Sequence, residues 1–571
     1  MVLGTVLPSA LAQTTLTGRI ADARTGEPLA GATLVPKSSK EVGTVTNYDG
    51  RFRLQTKQQL PLTLIVQFIG YRPQEVDVYD ASEEIDIQLI EVPNYLSEVV
   101  VTALGISREK KALGYSAQGI DADALSTGKD NNLLNSLEGK LAGVRITNTQ
   151  GDVGSSRIII RGETSIAGEN QPLFIVDGIP VDNSQLNAQT QGRDPKNAIA
   201  DLNPEDIENI TVLKGPNASA LYGSRAAHGA IVITTKTGRG SKGLGITVHS
   251  STQLATAANL PDFQNVFGQG AGGQFSYVNG AGAGINDGVD ESWGPRLDIG
   301  LLIPQFDSPL DANGNRTATP WVSHPDNVKD YFRTGLTQNT GISIARSADN
   351  FQFRLAFNHE YQRSIVEGSS NNKSNVNLNV DYDLTKWLSV GATANYIIYK
   401  APNIPGSAGA TGSNYRANST MLQYLWFGRQ VDDASLRDDY SRNWNASYYS
   451  NPYWSAYYNT YEQERHRLIG DLHATFHVIK GLDLRFRTST DWYQDRRKAK
   501  VKWGTSGTPY GKYEEDAYTV QENNTELTAV YNRKLSDDLT LDALLGWNVR
   551  NKRYENNYQA APDWLWLTSI R

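Results

Sequence analysis

The sequence predicts a mainly β protein built from three consecutive domains. Short β-branched runs separated by turn residues fill residues 13–91 and return over residues 137–236, where one short helix (218–226) is predicted between two strands. From residue 243 onward, long segments alternate apolar and polar residues. We therefore expect a small β-sandwich, a compact α+β domain and an antiparallel transmembrane β-barrel that is incomplete in this chain.

Composition excludes several classes of function. The 571 residues include no cysteine, which excludes disulfides, thiol catalysis and Cys-ligated metals. The net charge of -7 argues against nucleic acid as a partner. No apolar run approaches the roughly 18 residues of a membrane-spanning helix. A membrane β-barrel would escape this test, because only its alternate residues face lipid.

Residues 1–12 have the character of a signal peptide remnant. They are apolar and end in Ala10-Leu11-Ala12, the small-x-small pattern at which a signal is cut. Cleavage is expected before Gln13. A basic stretch ahead of the apolar one is missing, which indicates that the recorded start lies inside the signal. The segment predicts export.

Residues 13–91 are predicted to form a β-sandwich, with strand-like runs at 15–20, 32–36, 43–46, 51–54, 62–68 and 85–89. Turn signals such as Thr25-Gly26-Glu27-Pro28 separate the runs. The motif Thr17-Gly18-Arg19, followed by the segments 28–32 and 46–52, resembles the carboxypeptidase regulatory-like domain. That resemblance implies a transthyretin-like fold without catalysis. No His precedes His228, so no zinc peptidase site is implied.

A short β-forming segment joins this domain to the next. Residues 96–106 by themselves predict a buried or alternating strand at a domain boundary. They resemble the TonB box, whose role would be β-strand addition to the sheet edge of a partner. The resemblance assigns this role to Glu98, Val99, Val100, Val101 and Thr102.

Residues 107–238 contain the most specific motifs, which are Arg161-Gly162, Val176-Asp177-Gly178, Lys214-Gly215-Pro216, Leu221-Tyr222-Gly223 and Gly229-Ala230-Ile231. In this order they resemble the plug domain of TonB-dependent outer-membrane transporters. A preceding sandwich is typical of the SusC/RagA subfamily. The resemblance implies a plug that blocks a β-barrel until energy arrives from the inner membrane. The residues show neither a nucleophile–base pair nor a phosphate loop.

Residues 243–571 predict about nine strands of a partial outer-membrane barrel. In 375–384 and 388–396 every second residue is apolar, which gives one apolar and one polar face. Short turns at 347–350, 385–386, 480–481 and 536–538 alternate with long connections at 257–333, 362–373, 401–463 and 495–518, as in outer-membrane barrels. The resemblance implies about 22 strands. We therefore expect an N-terminal portion of a longer protein, from a truncated gene or an incomplete record.

The connection 401–463 holds the candidate ligand-binding residues, Trp426, Tyr440, Trp444, Tyr453 and Trp454. Aromatic rings that stack on sugar faces, with Asn and Asp among them, suit a glycan. The alternative is an aromatic-rich loop or girdle without any ligand role.

Two further patterns raise the question of a metal. His473 and His477 lie on the polar phase of one predicted strand, 468–478, where lumen-facing, solvated histidines explain them better than a metal site. Asp311-Ala-Asn313-Gly-Asn315 lacks the sixth-position Gly and the distal Glu of a calcium loop, and predicts a plain turn. We predict neither a metal nor a cofactor.

The resemblance implies TonB-dependent import of oligomeric nutrients across the outer membrane, with oligosaccharides favoured and the N-terminal domain in the periplasm. The implied partners are TonB with its inner-membrane energy partners, a SusD-like surface lipoprotein, a glycan or peptide oligomer and outer-membrane lipid. Peptide import of the RagA type, a siderophore receptor and a secreted, non-transporting β-adhesin are the alternatives. No residue is assigned a catalytic role, because import breaks no bond in the cargo.

Overall fold

The computed structural model describes residues 14–561, except for gaps at 24, 38–42, 57, 59, 69–70, 72, 83, 91–98, 102–106, 110–116, 122–132, 149–153, 164, 167–169, 185, 187–192, 216, 240, 242–244, 280–285, 407–419 and 537–538. The predicted signal segment 1–12 lies outside this range. The chain divides into two compact units, residues 1–100 with 107–113 and residues 101–106 with 114–571.

The first unit contains the predicted β-sandwich. Its strands are β1 (Thr14–Asp22), β2 (Thr33–Pro36), β3 (Thr44–Val45), β4 (Arg51–Thr56), β5 (Leu62–Gln67), β6 (Gln74–Val78) and β7 (Ile85–Leu89). One sheet has the order β4-β1-β7 and the other β3-β2-β5-β6. Alternate residues such as Leu16, Leu34 and Leu64 are fully buried in a shared core. The strand β6 was not predicted, because its sequence holds two apolar residues, Val76 and Val78, among charged and polar ones.

Two short strands, β8 (Val99–Val101) and β9 (Ser107–Glu109), form a sheet of their own. Three residues of the predicted TonB box, Val99, Val100 and Val101, therefore lie in a strand with a single neighbour among the described residues. Glu98 and Thr102 lie outside the described residues.

The second unit begins with the α+β domain, which we term the plug. Its elements are β10 (Ala117–Asp121), β11 (Val144–Asn148), β12 (Ser156–Ile160), β13 (Leu173–Val176), β14 (Ile179–Val181), β15 (Ile207–Leu213), α1 (Asn217–Tyr222) and β16 (Ala230–Thr235). A five-stranded sheet has the order β10-β15-β16-β13-β14, beside the hairpin β11-β12. The helix α1 and the 3-10 turn Gly223–Ala226 confirm the predicted short helix.

A nine-stranded antiparallel sheet, which we term the wall, follows the plug. The elements of this part are β17 (Gly245–Ala255), the short hairpin β18 (Leu302–Pro304) and β19 (Ala318–Pro320), β20 (Gly335–Ala348), β21 (Phe351–Arg363), β22 (Ser370–Thr385), β23 (Leu388–Asn403), β24 (Tyr461–Ile479), β25 (Leu482–Val501), β26 (Lys512–Lys534) and β27 (Thr540–Ala561). The wall is β17 and β20–β27, each paired with the next. Nine strands are the number that the alternation predicted.

The faces of the wall also follow the predicted alternation. On β21, Leu355 and Phe357 point outward and are exposed, whereas Arg354 and Asn358 are buried on the face toward the plug, the lumen face. The strands are longer than predicted, with 23 residues in β26. The predicted connections 362–373 and 495–518 were consequently too long. Beyond the apolar residues, ion pairs such as Lys400–Glu464, at 2.7 Å, join neighbouring strands of the wall.

Two long connections pack on each other at the ends of the wall strands. The connection 256–334 contributes Phe306, Val328 and Tyr331 to a shared apolar core. The connection 404–460 contains α2 (Thr420–Trp426), α3 (Asp433–Asp438) and α4 (Pro452–Tyr458), and contributes the buried rings of Trp444 and Tyr453. No helix in the described ranges is long and apolar enough to cross a bilayer.

Candidate functional site

The turn between β13 and β14 explains the Val-Asp-Gly motif. Asp177 and Gly178 have φ values of 49° and 81°, the left-handed pair that a two-residue type I′ hairpin turn requires. The Asp177 carboxylate accepts hydrogen bonds from the backbone N–H and the hydroxyl of Thr235, each at 2.8 Å, which fixes the end of β16. Burial raises the pKa of this carboxyl. Arg487 of the wall donates to the Asp177 carbonyl, and its guanidinium occupies the space of the missing Cβ of Gly178.

Two other plug motifs meet in space. A Cβ at Gly215 would lie 3.2 Å from Nη1 of Arg161. Lys214 Nζ donates to Gln118 Oε1 at 2.8 Å and to the Ala142 carbonyl at 2.7 Å, which ties β10 and the turn before β11 to the end of β15. These residues hold the plug together internally.

The remaining motif positions are also accounted for. Gly162 and Gly223 adopt positive φ angles of 89° and 71°, which glycine accepts without strain. Tyr222 ends α1. Pro216 lies outside the described residues.

Two arginines on the lumen face of β24 reach into the plug. Arg467 donates to the carbonyls of Ala198 at 2.6 Å and Asp182 at 3.1 Å. Arg465 donates to the Lys196 carbonyl at 2.7 Å and pairs with the Asp201 carboxylate at 2.9 Å. Wall carboxylates on β25 balance both guanidinium charges, since Asp491 pairs with Arg467 at 2.8 Å and Asp495 with Arg465 at 2.9 Å.

Further polar contacts join the plug to other strands of the wall. Asp206 of the plug pairs with Arg354 at 2.7 Å and accepts from Asn358 and Asn375 of the wall. Arg225 of the plug pairs with the buried Glu522 at 2.7 Å. By contrast, Ile397 and Ile469 are the wall residues that join the apolar core of the plug in the described structure. The plug is therefore held to the wall mainly by hydrogen bonds and ion pairs.

Asp182 is a charged centre of the plug–wall contact. Its carboxylate accepts from Lys552 at 2.7 Å, Ser184 at 2.6 Å and Tyr493 at 2.8 Å. Burial alone would raise the pKa, but these hydrogen bonds and the Lys552 charge outweigh it and lower the pKa of Asp182 to about 2. The carboxylate is therefore ionised at neutral pH.

Of the five predicted ligand residues, Trp444 and Tyr453 are buried, whereas Trp426, Tyr440 and Trp454 keep exposed surface. Trp444 and Tyr453 are 1% and 2% exposed and belong to the core of the loops. Tyr440 stacks on Tyr453, with ring centroids 5.9 Å apart. Trp454 is half-buried and donates from Nε1 to Thr505 Oγ1 at 3.0 Å. Trp426 is 43% exposed at the end of α2.

The two patterns that raised the question of a metal have other partners. His473, on the lumen face, contacts Asp471 at 2.8 Å and Asp381 at 3.0 Å. Asp311 accepts from the backbone N–H groups of Asn313 and Asn315, which confirms the plain turn. In the part of the chain that the structure describes, no group of three or more His, Asp or Glu side chains is arranged to hold a metal ion.

Known proteins share both the plug and the sandwich. Residues 109–230 match the family described as TonB-dependent Receptor Plug Domain, and residues 16–101 match the CarboxypepD_reg-like domain. The TonB-dependent receptor SusC of Bacteroides thetaiotaomicron is 30% identical over 370 residues, which are 64% of this chain and 32% of that receptor. Together, these matches support a SusC/RagA-type TonB-dependent transporter.

Two further comparisons give a second similar receptor and a similar fold. The TonB-dependent receptor P39 of Formosa agariphila is 27% identical over 432 residues, 76% of this chain and 36% of that receptor. The RagAB peptide importer in its open-open state has a TM-score of 0.56 and 20% identity, covering 81% of this chain and 53% of that one, and shows the same fold. The chain spans about a third of the length of the curated relatives it matches. These relatives also confirm the predicted outer-membrane location.

The sequence analysis did not predict the arginines that fasten the plug to the wall. A signal for them was present, because Arg465 and Arg467 continue the two-residue period of His473 and His477 toward the start of β24. The prediction began that strand too late, at residue 468, since the charged stretch ahead of it resembled a loop.

Proposed function

We propose that the chain acts in TonB-dependent import of oligomeric nutrients across the outer membrane, with oligosaccharides as cargo. The observation that carries this proposal is the polar seating of the plug, in which Arg465, Arg467 and Arg354 make buried hydrogen bonds across the plug–wall contact. Polar contacts can be exchanged for contacts with water, whereas a continuous apolar interface would resist wetting. Such a plug can be displaced and reseated.

The mechanism that we propose begins at β8. TonB would pair with the segment 98–102 by β-strand addition and pull the plug through main-chain hydrogen bonds. Support comes from Val99–Val101, which form a strand paired with β9 alone in the described structure and so keep a second edge. A SusD-like surface lipoprotein would deliver the cargo, and the sandwich would lie in the periplasm.

Uptake by cells that express Val100→Pro from the native gene tests the mechanism. Proline removes one backbone donor from the strand, so uptake is expected to fall at least ten-fold. Val100→Thr is the matched control, since it keeps the donor and the β-branch, and it should transport within two-fold of wild type. Both variants must reach the outer membrane in equal amounts. Wild-type uptake by Val100→Pro would refute the mechanism.

The exposed aromatic residues of the loops support an oligosaccharide as cargo. Trp426 presents a flat ring to solvent, and we propose it as a sugar-stacking residue together with Tyr440 and Trp454. Trp444 and Tyr453, which are buried, would stabilise that surface by packing in the core of the loops. The alternative cargo is a peptide, as for the RagAB importer, or a siderophore.

Binding of labelled oligosaccharides and labelled oligopeptides to the purified chain separates these cargos. Trp426→Ala is expected to weaken oligosaccharide binding about ten-fold. Leu425→Ala is the matched control, because Leu425 lies next to Trp426 on α2 and is 59% exposed. Equal losses in both variants would remove Trp426 from the proposed site, and tight binding of the peptides alone would reassign the cargo.

A further inference from the structure

One arginine of the plug holds both ends of the connection 404–460. Arg193 Nη1 donates to the carbonyl of Ile404 at 2.5 Å, and Nη2 donates to the carbonyl of Asn459 at 2.7 Å. Ile404 directly follows β23 and Asn459 lies two residues before β24, so a single side chain spans the exit and the return of the loop. The backbone of Arg193 also forms a β-bridge with Gly406.

The two loop ends are joined to each other and to the neighbouring connection. The Ile404 N–H donates to the Tyr461 carbonyl at 2.8 Å. The Asn459 side chain accepts from the Lys502 N–H at 2.9 Å and from Thr505 Oγ1 at 3.1 Å, both in the connection between β25 and β26. Asn459 therefore meets the plug through its carbonyl and the next loop through its side chain.

Arg193 differs from the other fastening arginines in its charge environment. It is 8% exposed, and its side-chain hydrogen-bond partners among the described residues are two neutral carbonyls, while Arg465 and Arg467 face carboxylates. Burial lowers the pKa of Arg193 to about 10. Among the described residues no carboxylate pairs with Arg193, so its guanidinium would regain hydration if the contact opened. Opening the Arg193 contact would therefore break hydrogen bonds to neutral carbonyls and separate no ion pair between described residues.

We propose that Arg193 couples the loop 404–460 to the plug. In one state the loop ends are held together and the plug apex, residues 193–201, is seated. In the other state the loop ends part and the apex is released. By linkage, binding of a ligand to the loop and release of the plug change each other's equilibrium constants by the same factor. The use of this coupling, reporting cargo to TonB, rests on the proposed function.

A double-substitution cycle read by amide hydrogen exchange tests the coupling in the full chain, without cargo or TonB. Tyr453→Phe loosens the loop from within, because it removes the 2.6 Å hydrogen bond to the buried Asp433. We expect Tyr453→Phe to speed exchange at residues 194–201 about five-fold when Arg193 is present. In the Arg193→Gln background the same substitution should leave that exchange unchanged.

The controls separate coupling from a purely structural contact. Arg157→Gln changes an exposed plug arginine that pairs with Glu163, and it should leave the five-fold response intact. Arg193→Lys keeps the charge but loses the two-pronged donor, so it should weaken the response, and it replaces Arg193→Gln if that variant fails to fold. An equal response in the wild-type and Arg193→Gln backgrounds would overturn the proposal. Because the assay contains no cargo, its failure and a failure of import are distinguishable.

Discussion

Arg467 donates to both carboxylate oxygens of Asp491, each at 2.8 Å, across the lumen face of β24 and β25. Both side chains are fully buried. The pair neutralises the guanidinium within the wall, and the N–H groups of Arg467 that face the plug then bond to carbonyls. Asp491 in turn accepts from the Asp182 N–H at 2.8 Å. The backbone of the plug thus gains a strong donor and a strong acceptor from an ion pair whose two members both belong to the wall.

We predict that Arg467→Met unseats this side of the plug. The substitution leaves Asp491 buried without its counter-charge, which costs about 3–5 kcal/mol. Hydrogen exchange at residues 179–201 measures the effect, and protection there should fall while the wall strands stay protected. Arg496→Met, which alters an exposed arginine on β25, is the control and should change little.

The double variant Arg467→Met/Asp491→Leu checks the physical reason. It removes both charges, so it should recover part of the lost protection. If the double variant is as poorly protected as Arg467→Met with Asp491 intact, then a stranded charge is not the cause.

The contrast between Arg467 and Phe357 shows which features can be predicted from sequence. The outward face of β21 is apolar over Phe353, Leu355 and Phe357, so the period of two is visible without a structure. On β24 the residues before Leu468 are charged on both faces, which hides the period. The partners of Arg467 in the plug lie more than 260 residues away in sequence, and no local pattern encodes that pairing.

In the candidate sites too, local features could be predicted from the sequence, whereas contacts between distant segments could not. The Asp177-Gly178 turn could be predicted as a turn, because Asp-Gly favours positive φ at both positions. The contact of this turn with Arg487 could not be predicted, because Arg487 lies 310 residues away in sequence. For the loops, an aromatic-rich sequence predicts rings, but the packing of two distant connections decides that Trp444 is buried and Trp426 is exposed.

Gly238, in the linker between plug and wall, is predicted to tolerate no side chain. A Cβ there would lie 2.7 Å from both the Arg346 carbonyl oxygen and the Phe353 N, and would collide with the Phe353 carbonyl. These are backbone atoms of the β20–β21 hairpin and cannot swing away, so Gly238→Ala should cost about 1–3 kcal/mol. Gly119→Ala is the matched control, since its Cβ would meet only Asn209 at 3.7 Å. Chemical denaturation of the folded chain compares the two, and equal stabilities would contradict the steric argument.

Acid is predicted to weaken the plug through Asp182. Its folded-state pKa of about 2 lies below the ordinary value of 3.8, so its stabilising contribution is complete above pH 4 and is lost as the pH falls toward 2. Lys552→Met removes a donor and a positive charge, which should move the loss to higher pH. Exchange protection at residues 179–184, corrected for intrinsic rates and followed from pH 2 to 5, measures the shift. Arg553→Met, which changes an exposed neighbour paired with Glu555, should leave the profile unchanged.

The loop core is predicted to respond to pH in the opposite direction, through Asp433. Burial, together with the nearby Asp330 and Asp432, raises the pKa of Asp433 to about 6, against the hydrogen bond from Tyr453 and the charge of Arg437. The folded loop therefore binds more protons than the unfolded one between pH 4 and 6. Its stability should fall as the pH rises through this window, by on the order of 2 kcal/mol.

Exchange protection of α2, α3 and α4 at pH 4.5 and pH 7.5, corrected for intrinsic rates, measures this dependence. Asp433→Asn is the decisive variant, because the amide oxygen still accepts from the Tyr453 hydroxyl at 2.6 Å but cannot ionise. The variant should match the wild type at low pH and exceed it at high pH. A wild-type loop that is equally protected at both pH values would show that Asp433 stays ionised in the folded protein, held by Arg437 and Tyr453 despite its burial.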